Sequence, residues 1–301
     1  MEFLHYLESI RTPPAEVFFS ACTFLGSQAV LFVMFALNYW CIDKKFGYEI
    51  CTSFFLSALL VQGIKITCRV PRPFVNDITL HPSELAVGGA TGYSFPSGHT
   101  QTSSSVMIPA AVEYRKKPAI SVICVILLIL TAFSRLYLCV HTPQDVFVSF
   151  LITAACAAGV MLLRRRTSED GMVRIFSVIL LAGSVFTVVY AVLLKNRGII
   201  ENSYLADCIK NAGACLGYIA GIFFERKYVQ FEAKVSSPKE GIIKVVCGLL
   251  GAGVILYGMK LLYSGVLFLD GLRYFLVSFW ILFIYPFVYR SARGKNSKRT
   301  A

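Results

Sequence analysis

The chain has 301 residues, 56% of them hydrophobic and only 15% charged, and carries a formal net charge of +12. Its mean hydropathy is +0.66. A water-soluble domain of this length carries more charge and shorter apolar stretches, which excludes the soluble classes. A basic stripe interleaved with stacking aromatics is absent, which argues against nucleic acid as a partner; the cations instead suit cytoplasmic loops of a membrane protein.

The start, MEFLHYLESIRTPPAE, has neither the basic first region nor the continuous apolar core of a cleavable signal. Phe3, Leu7 and Ile10 fall near one helical face, which predicts a short helix lying on the membrane surface over residues 1–15. Crossing the hydrocarbon takes roughly 20 apolar residues. Nine candidate spans follow, near 16–40, 46–66, 97–113, 118–135, 143–163, 174–194, 204–224, 242–262 and 268–290. The expected fold is all-α, a polytopic helical membrane protein. Residues 16–166 are expected to form the core, and 167–301 accessory helices with a basic tail.

Basic clusters fall at every second loop: Asp43-Lys44-Lys45, Tyr114-Arg115-Lys116-Lys117, Arg164-Arg165-Arg166, ERKYVQFEAK and the tail RSARGKNSKR. The positive-inside rule puts them in the cytoplasm, with the amino terminus outside and the carboxyl terminus inside. The outer loops are then 67–96, 136–142, 195–203 and 263–267. The longest, CRVPRPFVNDITLHPSELAVGGATGYSFP, is rich in Pro and Gly, and long loops of this kind more often carry function. The ten cysteines are scattered through apolar runs with no CxxC pair, so they read as small buried residues and not as a disulfide framework or zinc site.

Three polar stretches meet on the outer face. KITCRVPRP puts six residues between Lys65 and Arg72-Pro73, YSFPSGHT contains Pro96-Ser97-Gly98-His99, and SRLYLCVHTPQD carries Arg135, His141 and Asp145. A phosphate monoester holds about −1.5 to −2 charges on its oxygens near neutral pH. Lys65, Arg72 and Arg135 would offset that charge, the arginine forks matching phosphate geometry. Ser97 can donate through its hydroxyl, Gly98 lets the backbone approach, and a helix start would aim free N–H groups at the anion. The set resembles an oxyanion clamp that needs no metal or cofactor. Each part has a blander reading: the three cations as interfacial anchors, Thr142-x-x-Asp145 as a capping box, PSGH as a turn into a helix. Those readings leave unexplained why three motifs converge at one depth, where each charge costs about 2.5–3.5 kcal/mol on insertion scales.

The K-x6-RP, PSGH and SR-x5-H-x3-D pattern resembles the type 2 phosphatidic acid phosphatase family, which also includes haloperoxidases and acid phosphatases, over roughly residues 15 to 165. The resemblance implies that His141 is the nucleophile and forms a phosphohistidine. Asp145, one turn later, would hold its imidazole, while His99 acts as acid and base. One departure is Cys139, where family members commonly have Gly.

A site at headgroup height suits a lipid phosphate: phosphatidic acid, undecaprenyl pyrophosphate, phosphatidylglycerophosphate or a sphingoid phosphate. The threading and the TFLGSQ…NYWCIDKK run are similar to the nine-span bacterial and sphingosine-phosphate-phosphatase-like members, and a cell-membrane location follows. Two alternatives stay open, a soluble sugar phosphate as in glucose-6-phosphatase and a non-enzymatic transporter or scaffold. The last four spans show no motif to this reading and are assigned to the lipid entrance or a homodimer contact. Asp207, Lys210, Asn211, Lys260, Asp270 and Arg273 read as pairing or anchoring residues.

Overall fold

A computed structural model of the chain describes residues 1–233, 235–263 and 265–297, with the backbone alone over 293–297. Lys234, Ser264 and the end of the basic tail, all parts of the loop reading above, lie outside the described residues. The protein is an all-helical, multi-pass membrane protein; among the described residues no strand occurs.

The helices in chain order are α1 (Glu2–Ser9), α2 (Pro13–Phe24), α3 (Gln28–Leu37, extended by a π turn over Asn38–Ile42), α4 (Lys44–Cys68), α5 (Pro73–Asn76), α6 (Glu84–Val87) and α7 (Gly98–Glu113). They continue as α8 (Pro118–Tyr137), α9 (Pro143–Arg166), α10 (Glu169–Asn196), α11 (Asn202–Phe224, with a π turn over Glu225–Val229) and α12 (Pro238–Leu262). Last come α13 (Leu267–Phe279) and α14 (Tyr285–Ser297), joined by a π turn over Trp280–Ile284. Many starts are written locally. Proline stands at the first turn of α2, α8, α9 and α12, where its missing N–H costs nothing and its fixed φ suits the helix. Ser97, Thr142 and Ser237 cap α7, α9 and α12 through their side chains.

All nine expected spans fall on helices, but six segments are long and apolar enough to cross a membrane on their own: 44–76, 118–137, 143–166, 169–196, 238–262 and 267–292. The first expected span, 16–40, is broken: α2 and α3 meet at Leu25-Gly26-Ser27 with a 48° bend. A side chain at Gly26 would meet the His99 carbonyl oxygen at 2.6 Å, so the break lets backbone approach backbone there. Helices α7 and α11 fall outside the six. Helix α7 has 16 residues, with Thr100 through Ser105 all buried. Its polar groups face other helices: Gln101 Nε2 donates to Ser57 Oγ (2.7 Å) and to the Phe54 carbonyl (3.1 Å). A helix sheltered by protein does not need an apolar surface.

Two compact units emerge, residues 1–32 with 49–168, and residues 33–48 with 169–301. In the first, α7 packs against α8 and α9, and α2 against α8. Helix α1 divides its apolar residues between protein and surface. Leu4 and Leu7 are buried with Leu80, Tyr137, Leu138 and Val140, whereas Phe3 and Ile10 stay exposed. Tertiary partners, and not the bilayer alone, choose which apolar stripe is covered. In the second unit, α11 and α13 approach so closely that a side chain at Gly217 would sit 2.2 Å from the Phe275 carbonyl oxygen. Asp207–Lys210 (3.1 Å) and Asp270–Arg273 (2.8 Å) are ion pairs within their own helices. All ten cysteines are free thiols.

Candidate active site

The turn between α8 and α9 is built first by its caps. Thr142 Oγ1 accepts from the Asp145 N–H (3.3 Å), and Asp145 Oδ2 accepts from the Thr142 N–H (2.7 Å), a reciprocal capping box. The carbonyl of Arg135 accepts from the N–H groups of Val140 and His141, tying the turn back to the end of α8. Capping therefore holds Asp145 one turn from His141, and both groups are buried.

Asp145 Oδ2 is a shared acceptor. His141 Nδ1 lies 3.2 Å from it, and Ser94 Oγ donates to it at 2.5 Å. Ser94 Oγ also lies 3.3 Å from His141 Nδ1. On the other side of the ring, Arg72 Nη1 stands 2.8 Å from His141 Nε2. Arginine can only donate, so this bond makes Nε2 an acceptor and assigns the ring proton to Nδ1, facing Asp145. Burial, then the nearby charges of Arg72, Arg135, Lys65 and His99, holds the His141 imidazole well below its usual range and keeps it neutral. Nε2 thus carries the lone pair, covered by the guanidinium of Arg72.

The remaining predicted residues surround this pair. Arg72 also donates to the carbonyls of Thr91 (2.7 Å), Gly92 (3.1 Å) and Val140 (3.0 Å), which fixes the fork in the long loop. Lys65, near the end of α4, donates to the Tyr93 carbonyl at 2.7 Å. Arg135 is 1% exposed and donates to Thr23 Oγ1 at 2.5 Å, while its Nε and Nη2 have no partner among the described residues. Buried N–H donors without an acceptor are rare and costly, and these two are available to an added acceptor.

Ser97 caps α7, accepting from the Thr100 N–H at 3.4 Å and from Thr100 Oγ1 at 3.1 Å, so its own O–H remains a donor. Its N–H goes to the Asp145 carbonyl and its carbonyl accepts from Ser149 Oγ (2.6 Å), locking α7 to α9. A Cβ at Gly98 would meet nothing within 4 Å. The loop reaches this cap through a cis Phe95–Pro96 bond. His99 is half-buried in the first turn of α7, and its side chain has no hydrogen bond among the described residues.

Lys65, Arg72, Ser97, Gly98, His99, Arg135, His141 and Asp145 thus lie on the ends of α4, α7, α8 and α9 and the loop before α7, with Arg72, His141, Asp145 and Ser97 in direct contact. Residues 46–169, which hold all eight, match the PAP2 superfamily, and residues 209–297 match the PAP2 superfamily phosphatase transmembrane extension. The chain belongs to the PAP2 superfamily. It is 24% identical over 164 residues to a probable sphingosine-1-phosphate phosphatase of Dictyostelium discoideum, a match covering 48% of this chain and 38% of that protein. It is also 28% identical over 109 residues to an undecaprenyl-diphosphatase of Sulfolobus acidocaldarius, covering 36% of this chain and 50% of the relative. The matches thus span half or less of the length of these curated relatives. No solved structure matches the chain.

One residue of this PAP2 site escaped the sequence reading. Ser94 sits in the quoted YSFPSGHT stretch but outside its motif, and only the loop's curvature, with the Ser94 N–H on the Val70 carbonyl, brings it to Asp145. Cys139, marked in the sequence as a departure, takes the left-handed φ of 56° that favours Gly. The thiol compensates by contact: Sγ accepts from Arg11 Nη2 at 2.9 Å and lies 3.6 Å from the Leu4 carbonyl. Burial pushes this thiol up, with Arg11 opposing.

Proposed function

We propose that this protein is a membrane phosphatase that hydrolyses a lipid phosphate or pyrophosphate at the extracytoplasmic face, without a metal, through a phosphohistidine on His141. The observation that carries the reading is the neutral His141 ring, polarised by Asp145 on one side and covered by Arg72 on the other. When a phosphate binds, its oxygens take the N–H groups of Arg72 and the two unpartnered N–H groups of Arg135, which uncovers Nε2. The N–H groups of Gly98 and His99, at the start of α7, add to the clamp.

His141 Nε2 then attacks phosphorus while the bond to the leaving oxygen breaks; His99, which takes up a proton once the bound phosphate offsets the charges of Arg135, Arg72 and Lys65, gives that oxygen its proton. The imidazole becomes positively charged, and Asp145, held by Ser94 and Thr142, stabilises it. In the second half, His99 takes a proton from water, whose oxygen attacks phosphorus and breaks the N–P bond. Phosphate leaves and His141 returns to neutral. The basic loops favour a cytoplasmic carboxyl terminus and an outward site, and the names of the two relatives favour a lipid phosphate.

Phosphate release by the purified protein in mixed micelles tests this reading. Activity should persist in EDTA and disappear in His141→Ala and His99→Ala. A panel of phosphatidic acid, undecaprenyl pyrophosphate, a sphingoid phosphate and glucose 6-phosphate should show preference for one of the lipids. Preference for the sugar phosphate would overturn the substrate class, and no release from any would favour a transporter or scaffold.

A further inference from the structure

The second unit contains a cavity of about 1360 Å³ between α10 and the end of α11, far from any residue of the proposed chemistry in sequence. Pockets for small molecules run roughly 300–1,000 Å³, so this one is large for a metabolite. Its polarity changes along the helix axes. Charged residues (Glu169, Asp170 and Arg174 on α10; Arg226 and Lys227 after α11) gather at one end with Phe223 beside them, and Val178, Leu216 and Ile219 wall the other. Because α10 and α11 run in opposite chain directions, the amino end of one and the carboxyl end of the other share the charged mouth.

Most of these charges already have partners. Arg226 pairs with Glu169 (2.7 Å) and with Asp170, and Lys44 pairs with the buried Glu225 (2.7 Å). Arg174 and Lys227 do not. Arg174, in the second turn of α10, is exposed and makes no ion pair or hydrogen bond among the described residues. Among the described residues Lys227 meets only the rings of Phe223 and Tyr228, at 5.9 and 5.1 Å. An exposed arginine inside a membrane-crossing helix is costly unless an anion answers it. Here two unanswered cations flank the polar mouth of an apolar trough.

We propose that this cavity binds an anionic phospholipid of the bilayer, with its phosphate between Arg174 and Lys227 and an acyl chain along Val178, Leu216 and Ile219. The charge complementarity selects the headgroup, and the axial gradient from charged to apolar lining matches a lipid standing parallel to the helices. A neutral lipid would leave both cations unanswered. This site is separate from the one that holds His141 and does not depend on the proposed chemistry.

The test uses the full-length protein in phosphatidylcholine nanodiscs with two photo-crosslinking lipids that share one diazirine acyl chain. One has a phosphatidylglycerol headgroup and the other a phosphatidylcholine headgroup. Labelled peptides are mapped by mass spectrometry. The phosphatidylglycerol probe should label 173–178 and 216–224 at least about fivefold more than the phosphatidylcholine probe, the scale expected for one basic side chain facing an anionic surface. Arg174→Gln with Lys227→Gln should remove that excess and leave the thermal midpoint unchanged, and Arg174→Lys should retain most of it. Equal labelling by both probes would overturn the proposal. So would an excess that survives the double substitution, or labelling confined to other helices.

Discussion

The two units solve the same problem in opposite ways. Lipid is as apolar as leucine, so membrane helices gain little by hiding apolar surface and must hold together by hydrogen bonds or by close packing. In the first unit the joints are polar: Gln101 to Ser57, Ser149 to the Ser97 carbonyl, Ser94 and Thr142 to Asp145. In the second the closest joint, α11 with α13, is made by glycines, beside polar joints such as Trp40 Nε1 to the Ile281 carbonyl and Lys244 Nζ to the Trp40 carbonyl. Gly213, Gly217 and Gly221 line one face of α11, and a side chain on each would stand 2.2 Å from the Gly271 carbonyl oxygen, 2.2 Å from that of Phe275 and 2.6 Å from Leu282 Cβ. Polar joints bring reactive groups with them, and glycine joints bring only proximity. The proposed chemistry falls in the polar unit, where buried hydrogen bonds can fix a histidine's tautomer.

The largest effect expected from breaking a polar joint is on activity. Asp145→Asn keeps the shape but loses the negative charge of the carboxylate that His141, Ser94 and Thr142 share, and phosphate release should fall by about 10³-fold. Ser94→Ala, which leaves the cap intact, should cost about tenfold. Loss of both activities through unfolding would show as a lowered thermal midpoint, and a shared collapse of that kind would contradict a positioning role for Asp145. The glycine joint answers differently. Gly217→Leu should destabilise the protein by about 3 kcal/mol, because a backbone carbonyl blocks the new side chain. A variant with an unchanged unfolding midpoint would show that α11 and α13 can separate freely.

Much of the polar unit was legible beforehand, because its chemistry is written locally. Thr142-Pro143-x-Asp145 announces both a helix start and the distance from His141 to its carboxylate. The GxxxGxxxG pattern of 213, 217 and 221 is equally present in the sequence, but a stripe of small residues does not by itself name the partner it packs against. Other features depend on distant chain segments and leave no local trace. Arg11 meets Cys139 across more than a hundred residues, and the buried face of α1 is chosen by Leu80 and Tyr137 instead of by its own periodicity. The polar residues of helix α7 are plain in the sequence, but their partners, such as Ser57 and the Phe54 carbonyl on α4 for Gln101, come only with the fold.

Smaller effects sharpen the role of α1 in the polar unit. At Cys139 the left-handed backbone costs a branched residue about 2 kcal/mol, so Cys139→Val should lower the unfolding midpoint clearly. Cys139→Gly relieves the strain but loses the Arg11 contact, and should stay within about 1 kcal/mol of the parent. The smallest effect is a pH dependence of α1. The hydrogen bond that His5 donates to Asp77 raises His5 above its ordinary 6.5, and Asp77 falls to about 2 through Thr79 and then His5. The His5 contribution is therefore complete below about pH 6.5 and fades as pH rises through its raised value, while the Asp77 contribution is lost only as pH falls toward about 2. Hydrogen exchange of α1 should quicken from pH 6 to pH 8 beyond the intrinsic trend, and His5→Gln should abolish that excess. An equal excess in the variant would assign it elsewhere.

The central claim is that His141 carries the phosphoryl group. Rapid quenching of the His99→Ala protein after mixing with a lipid phosphate labelled with radioactive phosphorus tests it most directly, since that variant should form the intermediate slowly and hydrolyse it more slowly still. The account predicts an acid-labile, base-stable label on the peptide containing residues 136–145, and none in His141→Ala with His99→Ala. A label on another residue, or turnover that continues in His141→Ala, would contradict it.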